Sequence, residues 1–226
     1  FGPMHPDVAT SLGNLAFLYD IQGRYAETEP LHKRSLAIRE KVLGPEHPHV
    51  ATSLNNLATL YDTQGRYAEA EPLLKRSFTI FEKAFGPEHH EVAVSLGNLA
   101  TLYNDQGRYA EAEVHYQRAL EISKYIYGPD HPDVATSLHN LANLYRKQGR
   151  YAGAESLYQR AIVIRKKFLS PEHPALAKSL HNLAVLYNNQ DRYAEAIMMS
   201  RRSIDILRLR FSEGFGELTE GVWSEQ

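Results

Sequence analysis

The stretch Gly44–Phe85, GPEHPHVATSLNNLATLYDTQGRYAEAEPLLKRSFTIFEKAF, decides the fold. It matches Gly2–Leu43 at 30 of 42 positions, and more divergent copies begin at Gly86, Gly128 and Ser170. A fixed period of this size marks a solenoid, in which each unit buries its apolar face by stacking on its neighbours. Within the copy, Val50, Leu54, Leu57, Ala58 and Tyr61 recur at helical spacing and predict a helix A over about residues 48–63. Pro48 suits its first position, where an N–H would have no intrahelical partner, and Gly65 supplies the left-handed residue that stops it. Tyr67, Ala70, Leu74, Ser77, Phe78 and Phe81 predict a helix B that runs to about Phe85, before Gly86-Pro87. Each repeat therefore reads as a helix-turn-helix hairpin. Five of them (2–43, 44–85, 86–127, 128–169, 170–211) give an all-α array over residues 1–211, followed by a tail or capping segment at 212–226.

The composition narrows the function classes. The chain has 226 residues, 25 basic and 27 acidic, with no long run of either sign, so nothing in the charge calls for nucleic acid. There is no cysteine, which removes disulfides, thiolate chemistry and Cys-based zinc sites and suits a reducing compartment, with the cytoplasm as the default expectation. The sequence carries no apolar run long enough to span a membrane and no export signal at its start. Phe1 stands in the register of Leu43, Phe85, Tyr127, Leu169 and Phe211, as if the sequence were a piece of a longer array. Two irregularities predict local strain. Pro30 and Pro72 fall early in helix B, where a missing donor bends a helix unless it lies in the first turn. Asp191 replaces the turn glycine found at Gly23, Gly65, Gly107 and Gly149.

Leu54, Leu57-Ala58, Tyr61, Gly65, Tyr67, Ala70 and Ser77-Phe78 resemble the tetratricopeptide repeat pattern. The added length and the wording Gly-Pro-Glu-His-Pro-x-Val-Ala-Thr-Ser-Leu-x-Asn-Leu-Ala-x-Leu-Tyr are similar to the 42-residue variety of kinesin light chains. The resemblance implies a right-handed superhelical solenoid whose A helices line a concave groove for extended peptides or helices of partner proteins. It does not identify the partner. The regular Lys/Asn/Arg set of chaperone-binding carboxylate clamps is missing, since Gly13, Asn55, Gly97, His139 and His181 occupy one of its registers.

Helical periodicity places Thr52, Asn55, Asn56, Thr59, Asp62 and Thr63 opposite the apolar stripe. Asn56 recurs as Asn14, Asn98, Asn140 and Asn182, and an amide can both donate to and accept from the backbone of an extended peptide whatever its sequence. In kinesin-light-chain-like grooves the matching asparagines contact peptide. The other reading is that each asparagine bonds the next hairpin and fixes the stacking, since asparagine is a mediocre helix former. Around this ladder the residues vary. The first three repeats offer Thr10, Gly13, Phe17, Asp20, Thr59, Asp62, Thr101 and Asp105. The last two offer His139, Asn143, Arg146, Lys147, Lys178, His181 and Asn188. The expectation is a groove acidic at one end and basic at the other, able to favour a peptide with acidic residues. Alternatively, Arg146 and Lys147 are solvated residues that complement the helix dipole.

No catalytic motif, phosphate-binding glycine loop or zinc-protease helix is present, so the chain is expected to be no enzyme and to need no cofactor or metal. Five of the eleven histidines (His5, His47, His89, His131, His173) are one loop residue repeated. Helices packed at about 8–10 Å keep them too far apart to share a zinc ion, and His-Pro reads as a helix-entry device. The ladder Arg24, Arg66, Arg108, Arg150 and Arg192 is expected to pack on the adjacent tyrosine and pair with a nearby glutamate. Trp223, flanked by Glu220 and Glu225, loosely resembles the tryptophan-acidic peptides of kinesin-light-chain grooves, so the tail is also a candidate occupant of Arg146 and Lys178. The leading expectation is a protein-interaction scaffold. The alternatives are end-to-end self-association and a sensor array within a larger signalling enzyme.

Overall fold

In the computed structural model the described residues are 2–223, with side chains described up to residue 209. They form ten α-helices: α1 (Pro6–Ile21), α2 (Tyr25–Leu43), α3 (Pro48–Thr63), α4 (Tyr67–Phe85), α5 (His90–Asp105), α6 (Tyr109–Tyr127), α7 (Pro132–Lys147), α8 (Tyr151–Phe168), α9 (Pro174–Asn188) and α10 (Tyr193–Trp223). Odd-numbered helices are the A helices of the repeats and even-numbered ones the B helices. The bounds of α3 and α4 are those that the apolar stripes predict. Residues 212–223 continue the last B helix as part of α10. The side chains of Glu220 and Trp223, and Phe1 and Glu225 altogether, lie outside the described residues.

Each A helix starts on a histidine. The Nδ1 atoms of His5, His47, His89, His131 and His173 accept from the backbone N–H two residues on, at 3.1–3.2 Å. That bond satisfies one of the donors a helix start leaves free, which is the physical content of the helix-entry reading. Each A helix ends in a tight turn. Gly23, Gly65, Gly107 and Gly149 take φ of 71–76°, and Asp191 adopts φ 59° in their place. It is the one non-glycine residue with positive φ among those described. The helices α2 and α4 run without interruption through Pro30 and Pro72.

The chain divides into two compact units, Phe1–Ile122 and Ser123–Gln226. In the first, Val50, Leu54, Phe81, Val92, Leu96 and Ile122 form a core across α3 to α6. In the second, Tyr158, Ile162, Leu176, Leu180, Leu183 and Leu186 do the same across α8 and α9. Serines on the B helices tie the hairpins shut. Ser35, Ser77 and Ser203 donate to the carbonyls of Ala9, Ala51 and Ala177 at 2.7–2.9 Å, each bond buried.

Candidate functional site

The arginine ladder is a repeat-to-repeat brace. Arg24, Arg66, Arg108, Arg150 and Arg192 each lie over a tyrosine (Tyr19, Tyr61, Tyr103, Tyr145, Tyr187) at 3.6–4.1 Å from the ring centre. The tyrosine covered is the one at the end of the A helix, five residues earlier, rather than the one that follows the arginine. Arg66 also donates to Glu69 and to Glu29 of the preceding repeat, and Arg108 and Arg192 repeat the pattern with Glu71 and Glu155. Arg66 and Lys33 hold the Glu29 carboxyl far below the usual range, at about 2. The ladder is thus engaged in cation–π and ionic contacts that fix the stacking.

In the first unit, α1, α2 and α3 line an open cavity of about 380 Å³ whose lining includes Asn14, Phe17, Asp20, His32, Arg39 and Asn56. Asn14 and Asn56 are exposed, and Phe17 is 61% exposed. At one end, Arg39 of α2 donates to Ser53 Oγ (2.8 Å), the His49 carbonyl (3.2 Å) and Thr10 Oγ1 (3.4 Å), all neutral acceptors. Burial lowers its pKa. At the other end, Asp20 has a buried Oδ1 without a protein hydrogen-bond partner. Its neighbour His32 is buried; desolvation lowers its pKa while the Asp20 charge raises it.

Further along the same unit, Asp62 occupies the register of Asp20. Burial pushes its carboxyl up to about 6, with the Asp105 charge adding to the shift. Its Oδ1, and those of Asn55 and Asn104, are also buried with no protein partner. The Asn104 amide donates to Asp105 at 3.0 Å, which fixes its orientation and leaves its oxygen as the acceptor. Tyr116, hydrogen-bonded to Thr101 at 2.9 Å, is raised to about 12 by burial, with both aspartates contributing. Asn55 is a correction to the sequence reading. Periodicity sets it opposite the apolar stripe, yet in the fold it is only 8% exposed.

In the second unit the same face is closed by a network. His139 is 2% exposed, so it is not a surface contact residue; this is the second correction. Its Nε2 accepts from Asn182 Nδ2 at 3.0 Å, and that amide also donates to Asn143 Oδ1 at 2.9 Å. Tyr158 OH donates to the same Asn143 oxygen. With Nε2 accepting, the ring proton is assigned to Nδ1, where Ser179 Oγ lies at 3.3 Å. Arg165, in the register of Arg39 but 5% exposed, donates to Ser179 Oγ and to the Ala175 carbonyl (3.1 Å). Burial brings Arg165 down to about 10, and burial with the Arg165 and Lys178 charges brings His139 down to about 3. Among the ladder asparagines, Asn182 is thus committed to stacking. Arg146 is half-buried, with an Nε that lacks a protein partner, while Asn140 and Asn143 are partly exposed. Lys178 and His181 are exposed and line a cavity of about 430 Å³ with Ser200, Ile204 and Leu207.

Sequence reasoning missed Arg39 and Arg165 because they belong to the B helices. The signal was available: neither has an acidic residue three or four positions away on its own helix. Among the described residues, no group of three or more His, Asp or Glu is placed to hold a metal ion. No described helix is long and apolar enough to cross a membrane.

The hairpin geometry and the repeat register agree with what known families show. Tetratricopeptide repeat matches cover residues 7–83, 63–124, 91–167 and 133–208. The chain belongs to the tetratricopeptide repeat family. Among solved structures it is similar to the kinesin-light-chain-type nearly identical TPR-like repeats of Podosopora anserina, at 30% identity and a TM-score of 0.71, over 89% of this chain and 96% of that one. BtubC (BKLC) from P. vanneervenii has the same fold, at 24% identity and a TM-score of 0.75, over 92% and 82% of the two chains. A Rap protein complexed with competence and sporulation factor matches at 16% identity and a TM-score of 0.74, over 86% of this chain and 52% of that one. No curated protein matches significantly. As a tetratricopeptide repeat array of the kinesin-light-chain-like type, the chain is a protein-interaction scaffold, and such folds are typically non-enzymatic.

Proposed function

We propose that the chain binds an extended peptide segment of a partner protein on the A-helix faces of its units, and that it is non-catalytic and acts in the cytoplasm. The observation that carries this reading is the open cavity of the first unit, where Asn14 and Asn56 present exposed amides beside the exposed ring of Phe17. Amides bond backbone regardless of sequence, and the aromatic ring adds apolar contact area. Asn98, Asn140, Asn143 and Arg146 extend the candidate contact set, and Arg146 with Lys178 gives the second unit a preference for acidic side chains. His139, Asn55 and Asn182 act as supports rather than contacts. Phage display against the intact chain tests the reading. Selected peptides should lose binding to an Asn14→Ala/Asn56→Ala variant whose helicity is unchanged; equal binding to that variant, or no selection at all, refutes it.

A second reading has its own observation. On α1, Leu15, Phe17, Leu18 and Ile21 are exposed, and on α10 Ile197, Ile204 and Leu207 are exposed beside cavities of about 400 and 430 Å³. Such surfaces suit stacking of a further repeat or a second copy. Light scattering across a concentration series, with Ile204→Glu as the disrupting variant, separates the two readings.

A further inference from the structure

The cavity between α1, α2 and α3 has opposite charges at its two ends, and among the described residues neither Arg39 nor Asp20 forms an ion pair. Arg39 bonds only neutral oxygens, while Asp20 keeps a buried carboxylate oxygen without a protein partner. A buried acceptor without a donor is costly, and an arginine offers its donors in a planar fork that fits a carboxylate. Thr10, which receives Arg39, and Asp20 stand ten residues apart on α1, about 15 Å of helix. An extended chain covers about 13 Å in four residues, and side chains an even number apart leave it on the same side. Between the two ends the lining includes the Asn14 and Asn56 amides, which can bond a peptide backbone, and the Phe17 ring, which can take an apolar contact.

We propose that this cavity recognises an extended peptide segment carrying an Asp or Glu at Arg39 and, four residues along the segment, a Lys or Arg at Asp20. This deepens the peptide-binding reading above and rests on it. The assignment is specific to the first repeat pair. The B-helix register of Arg39 holds Phe81 in repeat two, and Arg165 in repeat four is buried against Ser179 and His139. His32 beside Asp20 does not supply the missing cation at neutral pH, since burial lowers its pKa.

The test uses the intact chain, a random displayed peptide library, and two synthetic probes, acetyl-AEASAKA-amide and acetyl-AKASAEA-amide. Controls replace Glu or Lys by Gln. Selected peptides should be enriched in an acid and a base four residues apart. One probe orientation should bind about tenfold more tightly than its Lys→Gln control, a charge-assisted contact's worth. Asp20→Asn should abolish that ratio and keep the preference for Glu over Gln. Arg39→Gln should do the reverse, with Arg39→Lys restoring it in part; Asp20→Asn removes no Oδ1 hydrogen bond within the fold, so its effect reads the ligand. Peptides that depend on Asn56 but show no charge spacing and ignore Asp20→Asn overturn this inference and leave the peptide-binding face standing. A library that yields no binders overturns both.

Discussion

The A-helix faces of the two units share one register and use it in opposite ways. In the first unit Asn14 and Asn56 are exposed, Arg39 lines an open cavity, and the buried side-chain atoms without a protein partner are the acceptor oxygens of Asp20, Asn55, Asp62 and Asn104 and the Ser95 hydroxyl. In the second, Asn182, His139, Asn143, Tyr158, Ser179 and Arg165 bond one another, and among the described residues the one buried side-chain atom without a protein partner is a donor, Arg146 Nε. A closed network stiffens the stacking, whereas buried acceptors without a donor cost stability. The difference teaches that a repeated residue has no fixed role. Asn182 stacks because a histidine stands at 139, where the equivalent residue of the first repeat is Gly13.

The largest effect should come from the paired arginines. Arg165→Ala, which strips donors from Ser179 and the Ala175 carbonyl, is expected to cost about 3 kcal/mol, and Arg39→Ala in the same register about 1 kcal/mol. Urea unfolding of both variants checks this, and equal costs would erase the distinction between a closed face and an open one.

The pH dependence should differ in sign between the units. His139 takes its proton near pH 3 when folded and near 6.5 when unfolded. Between these values the unfolded state binds more protons, so acidification from pH 6.5 to 4.5 costs up to about 1.4 kcal/mol per pH unit. His139→Gln should flatten that slope. Asp62 runs the other way. Its folded pKa near 6 lies above the ordinary 3.8 of an exposed Asp, so the folded state binds more protons in between and this group's contribution falls as pH rises from 4 to 6. Asp62→Asn should therefore raise stability at pH 7 by about 1 kcal/mol, after allowance for solvent screening, and steepen the loss on acidification. Urea midpoints measured at pH 4.5, 6 and 7 decide both signs.

The asparagines should separate by a smaller margin. Asn182→Ala leaves the His139 ring nitrogen and the Asn143 carbonyl without their shared donor, for a loss of about 1–2 kcal/mol. Asn56→Ala should change stability by less than about 0.5 kcal/mol, because its side chain is exposed. A thermal melt that shows Asn56→Ala to be the costlier change would reverse the roles assigned to the two faces.

The hairpins were legible in the sequence because their causes are local. Apolar spacing with the flanking turn residues placed α3 at about 48–63 and ran α4 to about Phe85, and the His-Pro and Gly-Arg-Tyr words marked where each A helix starts and stops. The candidate faces were legible only in part. Periodicity placed Asn55 and Asn56 together on the face away from the stripe, but in the fold Asn55 is buried and Asn56 exposed. Arg39 and Arg165 were invisible to a reading confined to A helices, since their guanidinium groups reach across from the B side.

By itself the sequence determined the repeat, the helix bounds, the turn residues and the family, because period, helix spacing and turn chemistry act within about forty residues. Only the tertiary structure decided which copies of a shared residue face an open cavity and which are consumed in packing. Burial, and with it the protonation of His139 and Asp62, depends on residues a whole repeat away, and that separation carries no mark in a local pattern.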